Sequence, residues 1–146
     1  MATFSRSVTV DWAGPIMEGK GEAKAGSGAF TLPVTFPSRI GEPAGRTSPE
    51  ELLAASHASC YAMALNAFVG RKGGSIGKTH ITATVTADKG ESGIKVTTST
   101  LKVVAEGLTG IEKAQFPDVA KEAEKGCPIS NAIRGNVQIV VEAEAK

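Results

Sequence analysis

The chain has 146 residues, 41% of them hydrophobic and 21% charged, with a formal net charge of +1. That length and composition fit one globular domain, residues 1–146, built on a single core. Lys and Arg are scattered rather than clustered, which argues against nucleic-acid binding, and no apolar run has the length of a signal peptide or a membrane span, so the expected location is the cytoplasm.

In chain order, Ser5 to Trp12 alternates with Val8, Val10 and Trp12 on one side, which predicts a strand with that face buried. Strand-like pieces around Gly19–Lys24 and Gly28–Leu32 follow, separated by glycine, and fit a small antiparallel meander. Pro37 to Gly45 (PSRIGEPAG) reads as an irregular loop that carries Arg39 towards the next element, hence a candidate active-site loop. Thr47 to Arg71 reads as one long helix. Ser48 is its N-cap, Pro49 suits the first helical position, and Glu51 is placed to reach back as a capping box. Leucines, Met63 and Phe68 are interleaved with alanines on nearly every face, so the helix is expected to be buried on all sides, and Ser56, His57, Ser59 and Asn66 speak against a membrane span.

Beyond it, Lys78 to Asp88 alternates cleanly and predicts a strand, KGESG a turn, and Gly93 to Ala105 a returning strand. The apolar parity of the returning strand switches between Val96 and Leu101, the mark of a bulge or of burial on both faces. A helix is predicted from about Gln115 to Lys125, with Pro117 in its first turn and Gly126 closing it, then a short helix opened by Pro128, and a last strand from Asn136 to Glu144. The class is α+β, with antiparallel sheet wrapping a long central helix. One chain has few strands to cover such a helix, so a partner subunit is expected.

The chemistry centres on two cysteines. Cys60 lies among small residues in the middle of the long helix, where a thiol is most often inert. Arg39 raises its standing, because a guanidinium favours a thiolate and stabilises a departing oxygen anion, and Glu50 is free to hold and aim that arginine. Cys127, between Gly126 and Pro128, occupies an N-cap-like position that favours a thiolate, so local electrostatics alone leave open which cysteine attacks. His57 shares its side of the helix with Cys60, the spacing of a Cys–His pair, yet reads better as a hydrogen-bonded core residue. No zinc or phosphate-loop spacing is present.

PEELLAASHASC resembles the central motif of the OsmC/Ohr family of osmotically inducible and organic hydroperoxide resistance proteins, and GCPIS before an aliphatic final strand resembles its second cysteine motif. WAGPIMEGKGEAKAGSGAF and the SRIGEP loop are similar to the OsmC branch. The resemblance covers nearly the full chain. It implies an OsmC-like fold, an intertwined homodimer with its two central helices back to back, and active sites built from both chains. By motif position it makes Cys60 the peroxidatic cysteine, Cys127 the resolving cysteine, Arg39 the arginine partner and Glu50 the glutamate after the motif proline. The implied activity is reduction of organic hydroperoxides to alcohols through a Cys60 sulfenic acid and a Cys60–Cys127 disulfide, with no cofactor or metal. An external dithiol, for which a lipoyl protein is a candidate, then restores the thiols.

One geometric tension accompanies this reading. Glu50 and Cys60 are ten residues apart, about 15 Å on a straight helix. Either the helix breaks early or Glu50 acts only through Arg39, and Arg46 is an alternative cation. Two competing readings are a non-catalytic dimer that binds a hydrophobic small molecule, and a Cys–His acyl transferase that needs His57 and not Cys127.

Overall fold

The computed structural model describes residues 2–146. The elements are β1 (Val8–Ala13), β2 (Lys20–Ala25), β3 (Thr31–Val34), α1 (Phe36–Ile40), α2 (Pro49–Arg71), β4 (Lys78–Gly90), β5 (Gly93–Glu106), α3 (Phe116–Glu124), α4 (Pro128–Ile133) and β6 (Gln138–Ala145). They divide into two compact units, Met1–Leu52 and Leu53–Lys146. The class is α+β, with two three-stranded sheets and one long helix.

In the first unit β1, β2 and β3 form the expected antiparallel meander. Val8, Val10 and Trp12 pair across from Ala25, Ala23 and Gly21. The large side chains of β1 therefore lie over the small ones of β2, and a Cβ on Gly21 would stand 2.7 Å from the Trp12 ring. The predicted burial of the β1 face is not found: Ala23 and Ala25 are buried, while Val8, Val10 and Trp12 remain 53%, 57% and 41% exposed. β1 is an edge strand that covers its neighbour and is itself uncovered.

The expected loop from Pro37 to Gly45 holds α1. Thr35 caps it by accepting the Ser38 N–H at 3.3 Å, Pro37 fits the first turn, and Gly41 N–H closes it on Pro37 O. A five-residue helix is too short to leave a periodic signature in sequence. At the start of α2 only half of the expected capping box forms. Ser48 Oγ accepts the Glu51 N–H at 3.1 Å, but the Glu51 carboxylate accepts the Thr47 hydroxyl at 2.8 Å instead of reaching back.

The helix α2 runs without interruption through Leu53–His57, so the early break does not occur. In the second unit its buried residues are His57, Tyr61, Leu65 and Val69, one stripe at four-residue spacing. Burial on all sides is not found, and Met63 is 74% exposed. The stripe packs with Leu101, Val103 and Ala105 of β5, Phe116, Ala120 and Ala123 of α3, and Cys127. Tyr61 donates its hydroxyl to Ala120 O at 2.6 Å, which satisfies the one polar atom that this large side chain takes into the core.

β4 and β5 form the predicted hairpin, and its register shifts where Thr86 pairs with Thr98 and Ala87 with Val96. The extra residue, Thr97, is the bulge that the parity switch announced. β6 departs from the all-antiparallel expectation: it runs parallel to β5, from Thr98↔Gln138 to Ala105↔Ala145. A parallel return needs a long crossover, and the segment containing α3 and α4 is that crossover. By length and composition α2 is apolar enough to cross a membrane, yet its buried stripe belongs to the core of the second unit.

Candidate active site

Cys60 sits in mid-α2, partly buried, and Cys127 is the fully buried N-cap of α4; both are free thiols. The local sequence explains the second placement. α3 ends at Glu124, Cys127 N–H bonds back to Glu124 O at 3.0 Å, and Pro128 starts α4. Cys127 Sγ then accepts the Ser130 N–H at 3.5 Å, doing with sulfur what a serine does with oxygen at an N-cap.

The structure brings the two cysteines together. Cys60 packs against the core cluster that contains Cys127, and Cys127 and the Ile129 backbone are the neighbours that act on its thiol. Burial pushes the Cys60 pKa up, the Ile129 backbone opposes that, and the neighbouring Cys127 side chain raises it further. Within its own unit Cys60 is therefore held as a neutral thiol.

His57 is not part of a Cys–His pair. Its Nδ1 lies 2.6 Å from Ser99 Oγ and its Nε2 2.7 Å from Ser130 Oγ, so both ring nitrogens are occupied. All three residues are fully buried, and burial lowers the His57 pKa. The acyl-transferase reading loses its base. Nearby, buried Glu124 accepts from Arg134 Nη2 at 2.8 Å. The sequence reading did not single out Ser99, Ser130, Glu124 or Arg134. Ser130 had a signal, three residues after a cysteine N-cap, whereas Ser99 sits in the disturbed parity next to the bulge and gave none.

In the first unit Arg39, in the last turn of α1, is bound to Glu50, in the first turn of α2. Arg39 Nη2 donates to Glu50 Oε1 at 2.6 Å, and Nε to both carboxylate oxygens at 3.1 Å. The hydrogen bond from Arg39 holds the Glu50 carboxyl below its usual range, and the same bond raises the Arg39 pKa. Beside the pair is a cavity of about 180 Å³ lined by Trp12, Ile16, Val34, Phe36, Arg39 and Pro49. The alternative cation, Arg46, is exposed and makes no ion pair among the described residues. No cluster of metal-ligating residues occurs among the described residues.

Each unit thus holds one distinct group: two neighbouring thiols in the second, and a fixed guanidinium at an apolar cavity in the first. Residues 41–142, which include Glu50 and both cysteines, match the family model described as OsmC-like protein. The chain belongs to the OsmC-like family. It is 32% identical to the peroxiredoxin OsmC of Escherichia coli (strain K12) over 138 residues, covering 94% of this chain and 95% of that one. It is 28% identical to an organic hydroperoxide resistance protein of Xanthomonas axonopodis pv. citri, over 84% of each chain. The crystal structure of an organic hydroperoxide resistance protein OsmC from Legionella pneumophila superposes with a TM-score of 0.76 at 26% identity, over 99% of both chains. Within this OsmC-like chain Arg39 lies two residues before the stretch that the family model matches.

Proposed function

We propose that this OsmC-like protein is a cysteine-based peroxidase that reduces organic hydroperoxides. The observation that carries the reading is the pair of free thiols, one at mid-helix and one at a helix N-cap, neighbours in the same core. A binding module has no use for that arrangement. The names of the relatives, a peroxiredoxin and organic hydroperoxide resistance proteins, support the same activity.

In the proposed cycle the Cys60 thiolate attacks the terminal oxygen of R–O–OH. The O–O bond breaks, the alkoxide leaves and takes a proton to become the alcohol, and Cys60 is left as a sulfenic acid. The Cys127 sulfur then attacks the Cys60 sulfur, hydroxide departs with the thiol proton as water, and a disulfide forms. An external dithiol reduces it by exchange, and the lipoyl group of a carrier protein is one such dithiol. The attacking thiolate needs a cation, since burial and Cys127 both work against it. We assign that role, and stabilisation of the leaving alkoxide, to Arg39, with Glu50 acting only by aiming it. Arg39 is preferred to Arg46 because it is fixed and borders an apolar cavity suited to an alkyl group.

The working unit is proposed to be an intertwined homodimer in the cytoplasm, a compartment where unpaired thiols persist. The open apolar face of β1 and the exposed Met63 side of α2 are the surfaces that a second copy would cover.

The test is a count of free thiols under denaturing conditions before and after one equivalent of an alkyl hydroperoxide, in wild type and in Cys60→Ser and Cys127→Ser. The expected result is loss of two thiols to a dithiothreitol-reversible bond in wild type, with one turnover by Cys127→Ser and none by Cys60→Ser. Survival of all thiols in excess peroxide would make the cysteines structural and leave the hydrophobic binder as the better reading.

A further inference from the structure

The buried histidine is left without a task by the peroxidase cycle, although its position is unusual. His57 and Cys60 are three residues apart on α2, so they lie on neighbouring positions of one helix face. Their partners, Ser130 and Cys127, are also three residues apart, at the N3 and N-cap positions of α4. The same two segments therefore meet at two places: Cys60 neighbours Cys127 in the core, and His57 Nε2 forms a hydrogen-bonded rung with Ser130 Oγ at 2.7 Å. A third contact, from Nδ1 to Ser99 Oγ at 2.6 Å, ties the ring to β5.

We infer that His57 is a positioning residue for the disulfide-forming step, fixing the start of α4 on α2 so that Cys127 stays in line with the Cys60 sulfur. This rests on the peroxidase reading for its kinetics but not for its geometry. A neutral imidazole has one donor and one acceptor nitrogen, so one serine hydroxyl accepts from the ring and the other donates to it. That requirement fixes the ring plane, because either hydroxyl would otherwise be left unpaired in the core. Ser130 is the shared element. Its hydroxyl meets His57 and its backbone N–H meets Cys127 Sγ at 3.5 Å, so a shift of Ser130 moves the sulfur.

The rung matters most after Cys60 has been oxidised. Condensation of Cys60–SOH with Cys127–SH forms the S–S bond and releases water, and it competes with a second peroxide that would carry the sulfenic acid on to sulfinic acid. Precise placement of the second sulfur raises its effective concentration and decides that competition.

The experiment compares Ser130→Ala, Ser130→Thr and His57→Gln with wild type in two readouts. In the first, single-turnover mixing with an alkyl hydroperoxide is followed by mass spectrometry for sulfenic acid, disulfide and sulfinic acid. Ser130→Ala and His57→Gln are expected to slow disulfide formation about tenfold more than sulfenic acid formation, with sulfinic acid appearing in excess peroxide; Ser130→Thr, which keeps the hydroxyl, is expected to restore the wild-type ratio. In the second, the thiol pair is equilibrated with oxidised and reduced glutathione, which needs no peroxidase activity. The effective concentration of the two thiols is expected to fall about tenfold in Ser130→Ala and to recover in Ser130→Thr. Equal slowing of both kinetic steps, or an effective concentration within twofold of wild type in a folded Ser130→Ala, overturns the inference. If wild type consumes no peroxide while the glutathione result holds, the peroxidase reading fails and the positioning role of the rung stands.

Discussion

The two pieces of the candidate site are built on opposite electrostatic plans. Arg39 and Glu50 are a charged pair that is satisfied where it stands, with three hydrogen bonds, one of them 2.6 Å, and pKa shifts that reinforce ionisation on both sides. Cys60, beside Cys127, is a thiol whose surroundings oppose its ionisation. The contrast teaches that neither pair by itself combines a thiol with a charge that favours its ionisation. In the proposed peroxidase the thiols would supply the redox chemistry, and the charge that makes one of them a nucleophile is assigned to the guanidinium.

The largest effect expected from breaking this division of labour is at the sulfur itself. Cys60→Ser is expected to abolish peroxide consumption in a coupled dithiol assay, while Cys127→Ser retains a single turnover and then stalls. Next comes the cation. Arg39→Ala is expected to lower kcat/KM for an alkyl hydroperoxide by about 10²–10³-fold, the usual result of deleting one preorganised electrostatic group. Arg46→Ala, measured beside it, separates the two arginines, and a loss confined to Arg46→Ala would reassign the role. Glu50→Gln keeps one acceptor for Arg39 but removes the charge, so a smaller fall of about tenfold is expected, consistent with roughly 1.5 kcal/mol for a charged hydrogen bond. An effect as large as that of Arg39→Ala would show that Glu50 does more than aim.

The smallest effects are on stability against pH, and they distinguish the two regions by their windows. Glu50 titrates lower in the folded chain than its ordinary 4.5, so its contribution is fully present above that pH and is lost as pH falls through the lower folded value. His57 also titrates lower when folded than its ordinary 6.5, and its neutral ring supports the fold above that pH and ceases to do so as pH falls through its folded value. Denaturant midpoints measured from pH 8 to pH 3 are expected to decline in two stages, the first absent in His57→Gln and the second reduced in Glu50→Gln.

How much of this is legible in the sequence depends on whether a residue's partner is close along the chain. The alternation of Ile81, Ala83 and Val85 gives β4, and the parity switch between Val96 and Leu101 points to a bulge or to burial on both faces, of which the structure has the bulge, at Thr97, because strand faces have a strict period of two. The pairing of Glu50 with Arg39 could be argued because Glu51 was committed to the helix cap. The cap itself proved only half right, since Thr47 offered Glu51 a nearer donor. Partners that meet through tertiary folding left no such trace. His57 meets Ser99 and Ser130, and Glu124 meets Arg134, across gaps that no local period spans. The parallel direction of β6 was missed for a related reason: its Val and Ile run fits either direction, and only the crossover through α3 and α4 decides it. The buried faces predicted for β1 and for all sides of α2 assumed a cover that this single chain does not supply to Val8, Val10 or Met63.

The most direct test of the electrostatic division is the pH dependence of Cys60 alkylation and of single-turnover peroxide reduction, in wild type, Arg39→Ala and Glu50→Gln, all carrying Cys127→Ser so that a single thiol titrates. The expected result is an inflexion in Arg39→Ala lying about one to three pH units above that of its Arg39-containing parent, the span by which a close opposite charge shifts a pKa. Coincident inflexions in the two proteins would contradict it and show that Cys60 ionises without help from Arg39.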